Sequence, residues 1–402
     1  YTSAPTVTLV GGGATTAATP GTATLAANAA DGGLTKIGLG TVTLSGASSY
    51  LATTTVNEGE LAVTNLQTNG TPSSLGSGTQ VLINGGSLKY TGGSNNNNFN
   101  RTIAVGANGA TFDTAIAGFL FYYGSFTGSD PLNLVDTSYR SGELLVTGDS
   151  PAFTGEINIG NGVAKSGMVQ YRSNNPTPFG TGLIRVNGGG ILTADDGNTI
   201  PTTLGNNLAL NGGLLATQKS NINYTGNINL EAGSTIGHPE AYPGSTGRTT
   251  LSGVISGDEW SSLTISTATS VTLSNTNTYD GMTFVSKGTL LVNGSTTTAS
   301  SVVVSDGATL GGIGTVNGTV ETIGATSKIA PGNAGIGSLN TGSTVLTGIL
   351  DSEIDDSTSD TLYVNGDLDV TGATANCTAL AIPTATTYVL AKYTGTLTGT
   401  LT

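Results

Sequence analysis

The chain has 402 residues, enough for one large core or several small ones, yet only 9% are charged and 62 are glycine. Average globular proteins carry about 25% charged residues, so solubility here rests on hydroxyl and amide side chains. Twelve basic against 25 acidic residues give a net charge of −13, which leaves no electrostatic footprint for nucleic acid or an anionic membrane surface.

Disorder is argued against by Val, Ile, Thr and Leu recurring in short alternating runs. The lone Cys377 excludes an intramolecular disulfide framework. No apolar run nears the roughly 18–20 residues of a membrane span. The richest, IAGFLFYYGSF at 116–126, has eleven. The chain opens on Tyr1 without a signal peptide, so the expectation is an export signal already removed or a longer precursor.

In chain order, residues 1–32 form an N-terminal strand segment, with a strand-like run at 5–10 and no charge between Tyr1 and Asp31. The stretch VTLSGASSYLATTTVNEGELAV follows at 42–63 and returns as VTLSNTNTYDGMTFVSKGTLLV at 271–292, identical at ten of 22 positions. These include Leu44/Leu273, Tyr50/Tyr279, Val56/Val285 and Gly59/Gly288. A looser copy, LLVTGDSPAFTGEINIGNG at 144–162, places Val146, Phe153, Ile159 and Gly162 at the corresponding points. Such repetition settles architecture before motifs do.

Helical periodicity is nearly absent. Short strands are predicted at 42–44, 61–63, 81–83, 184–186, 208–210 and 228–230, each with its outer residues facing one way and its middle one the other. Starts at Leu61, Val81 and Ile103, and at Ile184, Leu208 and Ile228, recur every 20–24 residues. That interval allows parallel neighbours without a helix, whereas a sandwich shows strands every 8–12 residues. The Asn-Gly pairs at 84, 187 and 211 then mark coil corners rather than hairpins. The reading is all-β: a parallel β-helix of about 20-residue coils, roughly 100 Å long if most of the chain takes part. It divides into modules at 33–135, 136–250 and 251–345 that share a core, with a C-terminal β segment at 346–402.

GLTKIGLGTVTLSGASSYLATTTVNEGELAV at 33–63 resembles the autotransporter-associated β-strand repeat of bacterial passenger domains. LSGVISG at 251–257, IAPGNAGIGSL at 329–339 and the closing segment at 360–399 are similar to the same family. The resemblance implies a right-handed parallel β-helix on the cell exterior, and it implies no single activity. In that family the closing region leads to a translocator barrel or an anchor, and neither is expected before Thr402.

Chemistry is sparse. The single His238, in IGHPEAYPG, lacks the paired-histidine context of a zinc site and reads as a surface histidine. Asp351, Glu353, Asp355, Asp356 and Asp360 cluster, with Asp367 and Asp369 soon after. Calcium or paired-carboxylate glycosidase chemistry is one reading, and a solvated acidic loop is the favoured one. Asp195-Asp196 and Asp258-Glu259 beside Trp260 carry less weight. The run Phe119, Phe121, Tyr122, Tyr123, Phe126 alternates, so one face enters the core and the other packs under a loop, stacks on a sugar or meets a partner.

No catalytic, metal or cofactor site is therefore assigned, and no cofactor is expected. The leading expectation is a non-enzymatic structural protein, secreted or on the bacterial cell surface, whose copies assemble head to tail into a fibre, sheath or layer. Residues 1–32 would supply one contact and the uncharged stretch after Lys392 the other. The alternative is a passenger-type adhesin binding a glycan or host surface, and the remote one a polysaccharide lyase on a β-helix.

Overall fold

The structure, a computed structural model, describes residues 32–116, 118–139, 142–172, 175–194, 202–216, 218, 221–238 and 245–402. The strand expected at 5–10 and the pair Asp195-Asp196 lie outside the described residues. The described chain is all-β without a helix, a parallel β-solenoid of about 14 turns spaced roughly 23 residues. Loops such as 64–79 lengthen the coil beyond the expected 20. Two compact units divide the chain, Tyr1–Asn198 and Thr199–Thr402, with the division inside the segment 136–250.

In the first unit three parallel ladders run through successive coils. One joins Leu34–Lys36, Thr54–Val56, Gln80–Ile83, Thr102–Val105 and Phe126–Thr127. The second joins Thr41–Leu44, Glu60–Val63, Ser87–Tyr90, Ala110–Asp113, Leu132–Val135, Ile157–Ile159 and Ile184–Asn187. The third begins at Asn95–Phe99 and passes through Phe119–Tyr122, Glu143–Val146, Gly167–Tyr171 and Gly190–Ala194. Parallel in-register pairing places like residues above one another. Leu61, Leu88, Phe112, Leu134, Ile159 and Val186 form one inward column, none more than 2% exposed. Outward, the register pairs Lys89 with Asp113, 3.3 Å from its Nζ, while the Glu60 carboxylate reaches the same Nζ diagonally from the preceding coil at 3.4 Å. The Asn-Gly pairs at 84 and 187 are corners between ladders, as their spacing suggested.

The second unit repeats the plan. Tyr224, Leu251, Leu273 and Val292 stack in one column, and Ile236, Ile265, Val285 and Val304 in another, none above 1% exposed. Strands Leu263–Leu273 and Thr283–Val292 are long because each continues from one ladder into the next. Corner amides replace charges in tying coils together. Asn207 Oδ1 accepts from the Asn227 N–H at 3.0 Å, and Asn227 Oδ1 from that of Val254 at 3.1 Å. This is where the abundant Asn, Ser and Thr go.

The repeated 22-residue stretch is a coil in which a turn stands in for one strand. Its aromatic residue plugs the core where strand side chains are missing: Tyr50, Phe153 and Tyr279 are 8%, 0% and 0% exposed. The tyrosines are fastened alike. Tyr50 Oη lies 2.6 Å from Thr54 Oγ1, and Tyr279 Oη lies 2.8 Å from Thr283 Oγ1, all buried. The middle copy replaces both partners by apolar groups, Phe153 and Ile157, which leaves no buried hydroxyl unpaired. The repeated glycine is explained as well. Gly59, Gly162 and Gly288 have φ of 62°, 88° and 80°, a region costly for residues with a Cβ. At Gly59 a Cβ would also sit 2.5 Å from Gly38 O, and at Gly288 2.4 Å from Thr267 O.

Val56, Ile159 and Val285 all point inward, each 0% exposed. The three copies are not, however, one face repeated. In the first, the turn stands where the third ladder later begins, between Thr41–Leu44 and Thr54–Val56. In the middle copy the turn continues the first ladder, because Phe153 bridges Gly128 and its ring lies 6.3 Å from that of Phe126. The middle copy is therefore displaced by one face around the coil. In the third, Thr278 and Asp280 donate to Ile255 O and Gly257 O, so that turn succeeds strand Ile255–Gly257.

Two outcomes follow for the second unit. Val285→Asp places an unpaired charge in a closed column and unfolds the unit at temperatures the wild type survives. Asn293→Asp keeps the acceptor for the Ile313 N–H and shifts the melt little. Tyr279→Phe strands the buried Thr283 hydroxyl at about 1–3 kcal/mol in chemical melts, and Thr283→Val costs less because the Tyr279 hydroxyl keeps Ser300. The double variant, built like Phe153 and Ile157, is predicted to lose clearly less than the sum of the two.

Candidate functional site

The residues singled out in the sequence occupy separate places. His238 is half-buried and tied to the next coil: its Nδ1 accepts from the Ala268 N–H at 3.1 Å, and its Nε2 lies 3.1 Å from Thr267 Oγ1. With Nδ1 accepting, the proton of the neutral ring is on Nε2, which donates to Thr267 Oγ1 and does not activate that hydroxyl. Burial holds its pKa below the ordinary histidine value, and the Lys287 charge adds to this.

The acidic cluster is dispersed over local ties. Asp351 pairs with Lys328 at 2.9 Å, while Asp355 caps its own turn through the Thr358 N–H and hydroxyl. Asp356 accepts from Thr384. Asp360, 2% exposed, accepts from the Gly337 and Glu353 N–H groups at 2.7 Å and 2.8 Å, and burial raises its pKa. No group of three or more His, Cys, Asp or Glu among the described residues is placed to hold a metal ion. These side chains are loop ties.

Two of the aromatic features singled out in the sequence face solvent. In strand Phe119–Tyr122, Leu120 and Tyr122 enter the core, both 0% exposed, and Tyr122 donates to Ser125 O at 2.7 Å. Phe119, Phe121 and Tyr123 face outward with successive ring centroids 6.4 Å and 6.3 Å apart. Separately, Trp260 is 82% exposed on a turn that Asp258 caps through the Trp260 N–H at 3.1 Å.

One concavity among the described residues was invisible to local motifs. Strands Thr315–Val316, Ser338–Thr341, Thr361–Val364 and Ala391–Tyr393 form a four-stranded parallel sheet. Their register lines up Thr315, Asn340, Tyr363 and Lys392 on the outer face, while Leu339, Leu362 and Val364 fill the core. Gly342 keeps the floor low: a Cβ there would come within 2.6 Å of Gly318 O. The result is an open cleft of about 530 Å³ in the second unit. Asn340 Nδ2 donates to Gly314 O at 3.2 Å and Asn317 Nδ2 to Thr296 O at 2.7 Å, which turns both amide oxygens into available acceptors. Lys392 Nζ stands 3.3 Å from Tyr363 Oη and 5.0 Å from the ring centroid.

Against this geometry, comparisons with known proteins become informative. The model of the passenger-associated-transport-repeat matches residues 34–63 and 268–292, both of which are turn-bearing coils. These two coils are thus similar to the repeats of autotransporter passengers. A similar curated protein is the adhesin BmaC autotransporter of Brucella suis biovar 1 (strain 1330), 33% identical over 135 residues. That match covers 32% of this chain and 4% of the adhesin's length. No solved structure matches. Among the described residues no helix is long and apolar enough to cross a membrane.

The histidine offers a pH test. Its folded pKa lies below the unfolded value of 6.5, so only the unfolded chain gains a proton just below that pH. The stability it contributes is present above pH 6.5 and is lost as pH falls through the folded pKa. The wild-type melting temperature is expected to drop further between pH 7.5 and 5.5 than that of His238→Gln.

Proposed function

We propose that this protein is an extracellular, adhesin-type protein of the bacterial cell surface that binds rather than catalyses. The observation that supports this reading is that the two passenger repeats are coils of a parallel solenoid. Such a scaffold satisfies its backbone internally and leaves outer faces and turns free to vary. The outward ring row of Phe119, Phe121 and Tyr123, the exposed Trp260 and the open cleft are binding features of the kind an adhesin needs. The similarity to a Brucella adhesin points the same way.

A second reading, assembly of copies end to end, is favoured by one feature. Strands Thr374–Ala379, Ala391–Tyr393 and Leu397–Thr398 each pair with one neighbour among the described residues, and Ile382 and Leu397 are 85% and 45% exposed. Such parallel edges accept further strands, from a second copy or from further residues of the same protein.

The test coats beads with the purified protein and measures attachment to glycan-bearing cells, with light scattering across a concentration series alongside. Saturable attachment that soluble protein competes away is expected. Absence of attachment with growth into filaments would reverse the order of the two readings. Turnover of an acidic polysaccharide would overturn both.

A further inference from the structure

We propose that the cleft over Asn340, Tyr363 and Lys392 is a carbohydrate-binding site selective for a sugar carrying a carboxylate. This rests on the adhesin-type reading and names one ligand class and its place.

The argument begins with the cleft's composition. Its volume of about 530 Å³ lies within the range of about 300–1,000 Å³ usual for small-ligand sites. Its floor is built from amides and hydroxyls held by backbone, and these match the paired donors and acceptors of a sugar's hydroxyl groups. Asn340 and Asn317 each commit an N–H to a carbonyl and present an oxygen. The Asn365 oxygen meets the Thr394 hydroxyl at 3.5 Å, at the limit of hydrogen bonding. Two rings, Tyr363 and Tyr393, are 36% and 44% exposed at the cleft, where the apolar face of a pyranose could stack.

The charge decides between neutral and acidic sugars. In this acidic chain three of the described cations, Lys89, Arg185 and Lys328, pair with carboxylates. Buried Arg101 is held by the Leu75 and Gly76 carbonyls at 2.8 Å and 2.7 Å. Lys392 meets only the Tyr363 ring and hydroxyl, with no carboxylate in ion-pair range among the described residues. A lysine ammonium has three donors, so contact with Tyr363 leaves donors for an incoming carboxylate. The register that puts Lys392 over Tyr363, and Tyr363 over Asn340, fixes cation, ring and amide in a row about 4.8 Å apart per strand.

Isothermal titration of the full chain tests this with sialyllactose against lactose and trigalacturonate against galactotriose. At least one acidic probe is expected to bind, and its neutral counterpart to bind about tenfold more weakly, the scale of one charge-assisted hydrogen bond. Lys392→Ala should remove that preference and Lys392→Arg keep most of it. Lys392 is exposed, so equal melting temperatures will show that the variants are folded. Failure of both acidic probes to bind, equal binding of the neutral ones, or an unchanged preference in Lys392→Ala would each overturn the proposal. Attachment of coated beads to cells, with no heat from any acidic probe, sinks the cleft while the adhesin-type reading stands.

Discussion

Parallel, in-register hydrogen bonding between successive coils is the constraint on which everything else in this structure depends. Each backbone group of a strand is satisfied by the coil before and the coil after, so a side chain's neighbours are its counterparts roughly 23 residues away. An inward position is therefore apolar or a hydroxyl with a partner: the column through Leu61 is apolar, and the one through Val285 and Val304 goes on to Thr322, whose hydroxyl accepts from the Thr347 N–H. An outward position must tolerate its own kind above and below. Like charges in such a column repel, whereas amides and hydroxyls pair, which accounts for a chain that is 9% charged yet rich in Thr, Ser and Asn. Where charges do meet between coils they are opposite, as Lys89 is to its register partner Asp113 and to Glu60 on the diagonal.

The same constraint permits one kind of variation. A coil may lose a strand if something fills the core and closes the gap, and the passenger repeat does this with a tyrosine fastened to a threonine four residues on. In the second unit the turn around Tyr279 is followed by bridges from Thr276 to Ser295 and from Ser295 to Thr315. Strand Thr315–Val316 then starts the sheet whose outer face carries the cleft. The repeat and the candidate site are thus consecutive parts of one structural progression.

Much of the fold was legible in the sequence because the solenoid writes its register into local patterns. Alternation identified the strands and recurrence identified the coils, while the reason for the identity of Gly59 and Gly288, a positive φ, came from the structure. The displacement of the middle copy was not legible, since Phe153 and Ile159 obey the same local pattern whichever ladder they join. Buried Arg101 was equally hidden: it is 0% exposed and holds the loop carbonyls of Leu75 and Gly76, a role no periodicity encodes. The cleft escaped for a related reason. Asn340, Tyr363 and Lys392 lie in three different coils, and only the exact count of loop residues between them brings them into one row. The acidic cluster gave the opposite lesson, since carboxylates close in sequence turned out to serve separate turns.

The register itself is the most direct object for measurement. Val303 and Glu321 are outward-facing partners in adjacent coils of the second unit. After Cys377→Ser removes the exposed native thiol, nitroxide labels at 303 and 321 should sit on neighbouring strands about 4.8 Å apart at the backbone and broaden each other's spectra strongly. Labels at 303 and 322 should not, because a one-residue step turns the second label into the core. Strong coupling for the first pair alone is the outcome the in-register solenoid requires. Sharp, uncoupled spectra for 303 and 321 in the folded protein would contradict it.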